Sequence, residues 1–413
     1  GIFSSVSKVM GGVDAVVNAG MAVLPFIHLF MKNNSYSLSY IRVLYAMWLV
    51  RTVLSYLLTY RKSLLIADQK EYIASITGLI LNVVSYLAII LLVTWEQNYL
   101  LALGIGTVTE VVLNIWISWY VEQKYPFLRQ RRKEKSTSSL TKRIVRDLKS
   151  LFISRISEKM LYCTDNLIIS GFIGVGTVGR YANYCMITQA ISNILTILAN
   201  TIQPTVGDYF TEKNRQRNYE ILRQLTFGFF CIASVVSVGL FSLITPFVRD
   251  IWLGPSYELG WGITVFCIVV LLVRIMGLPL SLVMGVTGLF EKEKNVGASS
   301  ALLNLIVSLA LVKPYGMAGV LLGTLLSYLL QILYRYIIYF RDFLEMPGEA
   351  LRYAQDIGEY LAVIAGEVLL MQKIVPLIYG AGGMLLFCVC FLLCIAIPLL
   401  LDLVIFGRGW RLQ

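Results

Sequence analysis

The sequence predicts an all-α, polytopic membrane protein, and three observations predict it. Of its 413 residues, 57% are hydrophobic and only 14% charged, with a mean hydropathy of +0.73. Soluble domains carry roughly 25% charged and 45–50% apolar residues, so a soluble chain of this make-up would leave much of its apolar excess in water. The apolar residues gather into runs long enough to cross a hydrocarbon core about 30 Å thick, which takes about 20 residues of helix. The connections between the runs alternate between basic and nearly charge-free.

Twelve runs qualify as spans, near 9–31, 40–60, 72–94, 99–121, 151–173, 181–203, 222–248, 260–286, 296–312, 317–340, 357–379 and 383–406. Basic residues mark one side: Arg61, Lys62 and Lys70; the 124–149 stretch; Lys213, Arg215 and Arg217; Lys292 and Lys294; Arg341 and Arg352; Arg408 and Arg411. The other side holds little beyond Lys32, Arg42, Arg180, Arg249 and Lys313. Positively charged loops stay in the cytoplasm, so the basic side is expected there. That bias accounts for the net charge of +11 without nucleic acid. No basic patch interleaved with aromatics stands out either.

The hydrophilic stretch 122–150 divides the chain. It reads as a basic cytoplasmic linker between a partial N-terminal lobe of four spans (1–121) and a C-terminal lobe of six (151–341), followed by an additional two-helix segment (342–413). Transporters are commonly built as two pseudo-repeated bundles with the substrate between them. Four spans against six suggests two six-helix lobes, the first lacking two N-terminal helices.

Several chemistries are excluded or disfavoured. All seven cysteines sit inside apolar runs without zinc-ligand spacing, and His28 is the only histidine. His-based triads and His-rich metal sites are therefore strongly disfavoured, and the cysteines read as small buried apolar groups. Gly174, Gly176 and Gly179 spell GxGxxG, but a dinucleotide turn needs a short strand before it and a ribose-binding acid about 20 residues after it. Here long apolar segments flank the glycines, which read instead as a tight turn between two spans. A glycosyltransferase or ligase would want a large external loop carrying catalytic groups, and a scaffold would want a soluble domain; the sequence shows neither. No catalytic residues, metal ligands or P-loop are expected, and the chain reads as a non-enzyme.

Ionisable residues inside a span cost at least a few kcal/mol near mid-membrane, so they face a partner or water. In the span near 151–173, Arg155, Glu158, Lys159, Tyr162, Asp165 and Asn166 share one helical stripe. The next span carries a neutral stripe of Gln189, Ser192, Asn193, Thr196, Asn200 and Gln203. Together they predict the wall of a hydrated cavity, with interhelical hydrogen bonding as the alternative. Arg51, Glu110 and Arg274 lie deep in other spans, Arg274 just before Gly277 and Pro279. Glu367 and Lys373 are expected to form an internal ion pair. Intramembrane arginines suit an anionic substrate, because guanidinium binds phosphate oxygens in a bidentate fork.

The segments YRKSLLIADQKEY (60–72), TDNLIISGFIGVGTVGRYANY (164–184) and IQPTVGDYF (202–210) resemble bacterial polysaccharide flippases. These are the lipid-linked oligosaccharide (O-antigen or capsule repeat-unit) translocases of the multidrug/oligosaccharidyl-lipid/polysaccharide exporter superfamily. The resemblance implies translocation of an undecaprenyl-pyrophosphate-linked oligosaccharide across the bacterial cytoplasmic membrane, by alternating access through a cationic central cavity. It makes Arg51, Arg155, Lys159, Arg274, Asn193 and Asn200 substrate-binding candidates. Glu110, Glu158 and Asp165 become acids that bind a coupling cation (Na+ or H+) or bridge to those arginines. No other cofactor is implied. The chain is expected to act as a monomer, with polysaccharide polymerase and glycosyltransferases as candidate partners. A multidrug–cation antiporter of the same superfamily is the alternative function.

Overall fold

The computed structural model describes residues 37–59, 64–65, 68, 70–96, 99–125, 164–210, 214–287, 289–379 and 383–410. Among the described residues every regular element is helical, and nine helices are long and apolar enough to span a bilayer. The expected spans near 9–31 and over most of 151–173 lie outside them. The chain divides into two compact units, 1–147 and 148–413, with the division inside the basic stretch.

In the first unit, α1 (Leu38–Thr59), α2 (Glu71–Glu96) and α3 (Tyr99–Lys124) form a small bundle in which α3 touches both others. The unit's compact core is Leu65, Ala74, Ile117 and Val121. Most of α2 is bare: Leu79 and Leu91 are 66% and 68% exposed, as expected where lipid rather than water is the solvent. Arg42, Arg51 and three tyrosines make α1 less apolar, and it is not among the nine. Beyond the spans, Lys70 and Tyr125 both donate to the Asp68 carboxylate, tying the α1–α2 connection to the end of α3. Those donors hold its carboxyl below the ordinary aspartate range.

The second unit holds a helix over 164–172 (α4), then α5 (Val175–Tyr209), α6 (Arg215–Pro246), α7 (Trp261–Val286), α8 (Phe290–Tyr315), α9 (Met317–Ile337), α10 (Pro347–Tyr379) and α11 (Met384–Trp410). α6 and α9 each run on through a wider π-helical stretch, Phe247–Trp252 and Ile338–Leu344. Two turns depend on glycine. Gly174 (φ 140°) separates α4 from α5, and Gly316 (φ 59°) separates α8 from α9 immediately after Tyr315. The GxGxxG is thus not a nucleotide loop. A helix precedes it, only Gly174 forms the turn, and Gly176 and Gly179 belong to the first turns of α5 with open space around them.

α7 packs against α5, α6 and α9, and the terminal pair α10–α11 packs onto α6. The tightest pairing is α8 with α9. Gly319 and Gly323, spaced as GxxxG, bring α9 against the Leu311 carbonyl and the Ser308 hydroxyl of α8. Small residues drive such approaches because within lipid there is no hydrophobic force between helices, only packing and hydrogen bonds.

Candidate functional site: charged and polar groups within the membrane helices

In the first unit, two groups singled out by sequence meet. Arg51 on α1 lies 3.5 Å from the Glu110 carboxylate on α3, with both side chains about one-third exposed, at 29% and 35%. The guanidinium also sits 5.3 Å over the Trp48 ring. Gly106, one turn before Glu110, makes room: a Cβ there would stand 3.1 Å from an Arg51 nitrogen. A mostly apolar groove of about 520 Å³ is lined by Met47, Leu101, Gly104 and Val108 of the same helices.

In the second unit, Arg274 lies halfway along α7. Its guanidinium donates to Gln189 Oε1 of α5 at 3.3 Å and stands 5.4 Å over the Tyr328 ring of α9. The arginine is therefore directed at the neutral polar stripe of α5. Gly277, one turn on, lets Ile332 of α9 approach closely, and α7 continues through Pro279. Farther along the stripe, Asn193 and Asn200 are exposed while Ser192 is buried. Asn200 and Gln203 line an open cavity of about 310 Å³ with Pro204, Gly207 and Val286. Pro204 has no N–H to offer the Asn200 carbonyl, so a backbone acceptor at this cavity lacks its helical donor.

Asp165 departs from the expected watery wall. It is 4% exposed and held between three helices: Thr324 Oγ1 of α9 donates to Oδ2 at 2.7 Å, and Asn304 Nδ2 of α8 reaches Oδ1 at 3.4 Å. Asn304 also bonds Thr324 at 2.9 Å, and Ser308 donates to the Val320 carbonyl at 3.2 Å. The α8–α9 glycines make this possible by bringing Asn304 and Thr324 within reach of one carboxylate. Its neighbour Asn166 is exposed, so the stripe twists from buried to open within one residue. Asn304 Oδ1 is buried without a partner, which leaves an acceptor beside the acid. A knot of oxygen atoms around a buried carboxylate is suited to a hard monovalent cation or a proton.

Arg155, Glu158 and Lys159, the rest of the charged stripe, lie outside the described residues. The expected Glu367–Lys373 pair does not form: Glu367 is buried and accepts from Ser234, while Lys373 is exposed. Six residues at 100° each place the two on different faces of α10. Asn304, Thr324 and Tyr328 belong to no pattern that the sequence makes visible. Their only signal is a few polar residues scattered in two apolar runs, LLNLIVSLALV and LLGTLLSYLL.

A multi-span helical bundle in two units, with charges held inside the spans, is the architecture of a polytopic membrane protein. Residues 9–210, just under half the chain, match the family model described as polysaccharide biosynthesis protein. Among solved structures, the fold is similar to the lipid II flippase MurJ in an inward closed conformation, with a TM-score of 0.66 at 16% identity, covering 98% of this chain and 84% of that one. It is also similar to a mutant of the MATE transporter VcmN from Vibrio cholerae, with a TM-score of 0.51 at 12% identity, covering 83% and 79%. No curated protein sequence matches. The chain thus shares the all-helical fold of these two transporter structures, and residues 9–210 match the polysaccharide biosynthesis model. Its relatives are membrane transporters and flippases, not enzymes.

Proposed function

We propose that this chain is a flippase. It moves an undecaprenyl-pyrophosphate-linked oligosaccharide repeat unit from the cytoplasmic to the outer leaflet of a bacterial cytoplasmic membrane, by alternating access of its two units. The observation that carries this reading is Arg274, a guanidinium halfway along a membrane helix, turned by Gln189 and Tyr328 toward the polar stripe of α5. Placing a permanent cation there is expensive, and a pyrophosphate offsets that cost with charge-assisted bonds. Asn193 and Asn200, exposed farther along the stripe, supply hydrogen bonds to a sugar. The apolar groove of the first unit suits the polyprenyl tail. Asp165, with Asn304 and Thr324, is the candidate for a coupling cation, Na+ or H+. Arg155, Lys159 and Glu158 keep their proposed headgroup and coupling roles. The MATE-like fold and the buried Asp165 favour one second reading, a cation-coupled multidrug antiporter.

The test uses a strain lacking its own flippase and given the full-length parent, with membrane protein levels matched. Arg274→Lys keeps the charge but loses the fork and should lower surface polysaccharide; Arg274→Gln should nearly abolish it. A charge-assisted bond contributes about 1.5–3 kcal/mol, or roughly ten- to hundredfold in headgroup affinity. Normal polysaccharide in Arg274→Gln would sink the headgroup role. Drug resistance lost in its place would favour the antiporter.

A further inference from the structure

The polar stripe of α5 has a spacing of its own. Gln189, Asn193, Thr196, Asn200 and Gln203 follow one another at intervals of four, three, four and three residues. At 100° per residue these intervals keep all five within about 80° of one face. A helix rises about 1.5 Å per residue, so successive rungs stand about 5 Å apart and the row extends for about 21 Å. On the other side of Gln189 the same face carries Ala182, Cys185 and Met186, with no amide or hydroxyl. The row is therefore one-sided. It begins where Arg274 donates to Gln189 and runs toward the end of α5 that precedes Lys213 and Arg215.

The rungs are uncharged and open to a ligand. Asn193, Thr196 and Asn200 are exposed, and Gln203 is half-buried. The Thr196 hydroxyl donates to the Ser192 carbonyl at 2.8 Å, which leaves its oxygen to accept. The side chains of Asn193, Asn200 and Gln203 form no hydrogen bond with any described residue, although each amide offers two donors and an acceptor. Polar groups in membrane helices commonly bond a neighbouring helix; these three do not, and lipid cannot satisfy them. At its far end the row opens into the cavity of about 310 Å³, whose lining residues carry no charge. Gly285 of α7 makes room for the Gln203 amide there, since a Cβ would stand 3.0 Å from its Nε2. The Asn200 carbonyl, deprived of its helical donor by Pro204, adds a backbone acceptor to the same wall.

We infer that this row is a saccharide track. It binds the oligosaccharide of the substrate in extended form, one sugar to each rung beyond Gln189, with the pyrophosphate end at Arg274. The inference rests on the flippase reading and adds to it the register and the chemical class of the sugars. One helical turn is close to the length of one pyranose unit, so a chain lying along α5 meets a fresh amide or hydroxyl at each sugar. Asn and Gln pair equally with hydroxyl and acetamido groups, and the five rungs hold no charge to balance a uronate. The sugars on the track are therefore uncharged. Because the row is one-sided, the chain points from Arg274 toward the basic side, as it would in a substrate loaded from that side.

The test measures binding to the purified full-length chain in nanodiscs. The probes are undecaprenyl pyrophosphate, bare or carrying one, two or four linked N-acetylglucosamine units. A neutral hydrogen bond contributes roughly two- to tenfold in affinity, so affinity should climb with each added sugar. Asn193→Leu should weaken every sugar-bearing lipid by about that factor, whereas Gln203→Leu should weaken only the tetrasaccharide lipid. Neither should change binding of the bare lipid. Both variants are checked for the parent's unfolding midpoint, and Asn193→Ala and Gln203→Ala take their place where Leu lowers it. Equal affinity for all four lipids, an effect of either variant on the bare lipid, or a Gln203 effect as large on one sugar as on four would each overturn the track while leaving the flippase reading intact. Failure of all four lipids to bind would end the flippase reading and the track together.

Discussion

At the scale of single residues, the two deep arginines hold different company. Arg274 donates to Gln189 of α5 and stands over Tyr328 of α9, and Arg51 meets Glu110. The Arg51–Glu110 pair is only partly buried, so its Coulomb energy is screened, and exposed pairs contribute about 0.2–1 kcal/mol. Its larger effect is to keep either charge from standing alone in lipid. Arg51→Gln should therefore destabilise the first unit by stranding Glu110, and so should Glu110→Gln by stranding Arg51. The swapped pair Arg51→Glu with Glu110→Arg should recover both membrane protein level and export if the role is internal pairing. If protein level recovers but export does not, Arg51 serves the headgroup as well. If neither recovers, the pairing account is wrong.

Between helices, the informative contacts are the ones where side chains are missing. Gly319 and Gly323 let α8 and α9 touch, and that contact positions Asn304 and Thr324 around Asp165. A methyl group at Gly319 would meet the Leu311 backbone, which cannot rotate away, and one at Gly323 would meet the Ser308 hydroxyl with backbone close behind. Overpacking costs about 1–3 kcal/mol, so Gly319→Ala and Gly323→Ala should each lower the unfolding midpoint of the purified protein. Gly366 on α10 faces open space, where a methyl group would meet nothing within 4 Å. Its replacement by Ala should be neutral or stabilise by up to about 1 kcal/mol, through helix propensity. Equal effects at all three positions would refute the close-contact account. Helix periodicity and length were legible in the sequence because a bilayer demands long apolar runs, and α6 to α11 fall where those runs lie. Asp165, Arg274 and Glu367 were legible as charges out of place. Their partners were not, since pairing across helices depends on rotation and depth. A stripe drawn on one helix cannot tell that Asp165 faces α8 and α9 while Asn166 is exposed, nor that Glu367 reaches α6 rather than Lys373.

On the scale of the whole chain, α5 fixes a test of orientation. One unbroken helix, Val175–Tyr209, carries the chain across the bilayer, so Thr177 near its start and Gln216 just beyond its end should lie on opposite sides. The basic side is expected in the cytoplasm. In intact cells, an impermeant thiol reagent should label a cysteine at Thr177 and spare one at Gln216, in a cysteine-depleted background. The reverse pattern would invert the topology and the direction of transport. The packing of α10 and α11 onto α6 has a practical corollary for such mapping. Reporter fusions made by progressive truncation assume that each upstream helix behaves as it does in the intact protein. Any junction between Pro246 and Met346 deprives α6 of the helices that cover Phe230 and Ser234. Those fusions would report on a bundle with an aromatic flank and Ser234 opened to lipid. Sandwich insertions that retain the chain through Trp410 are the sound choice.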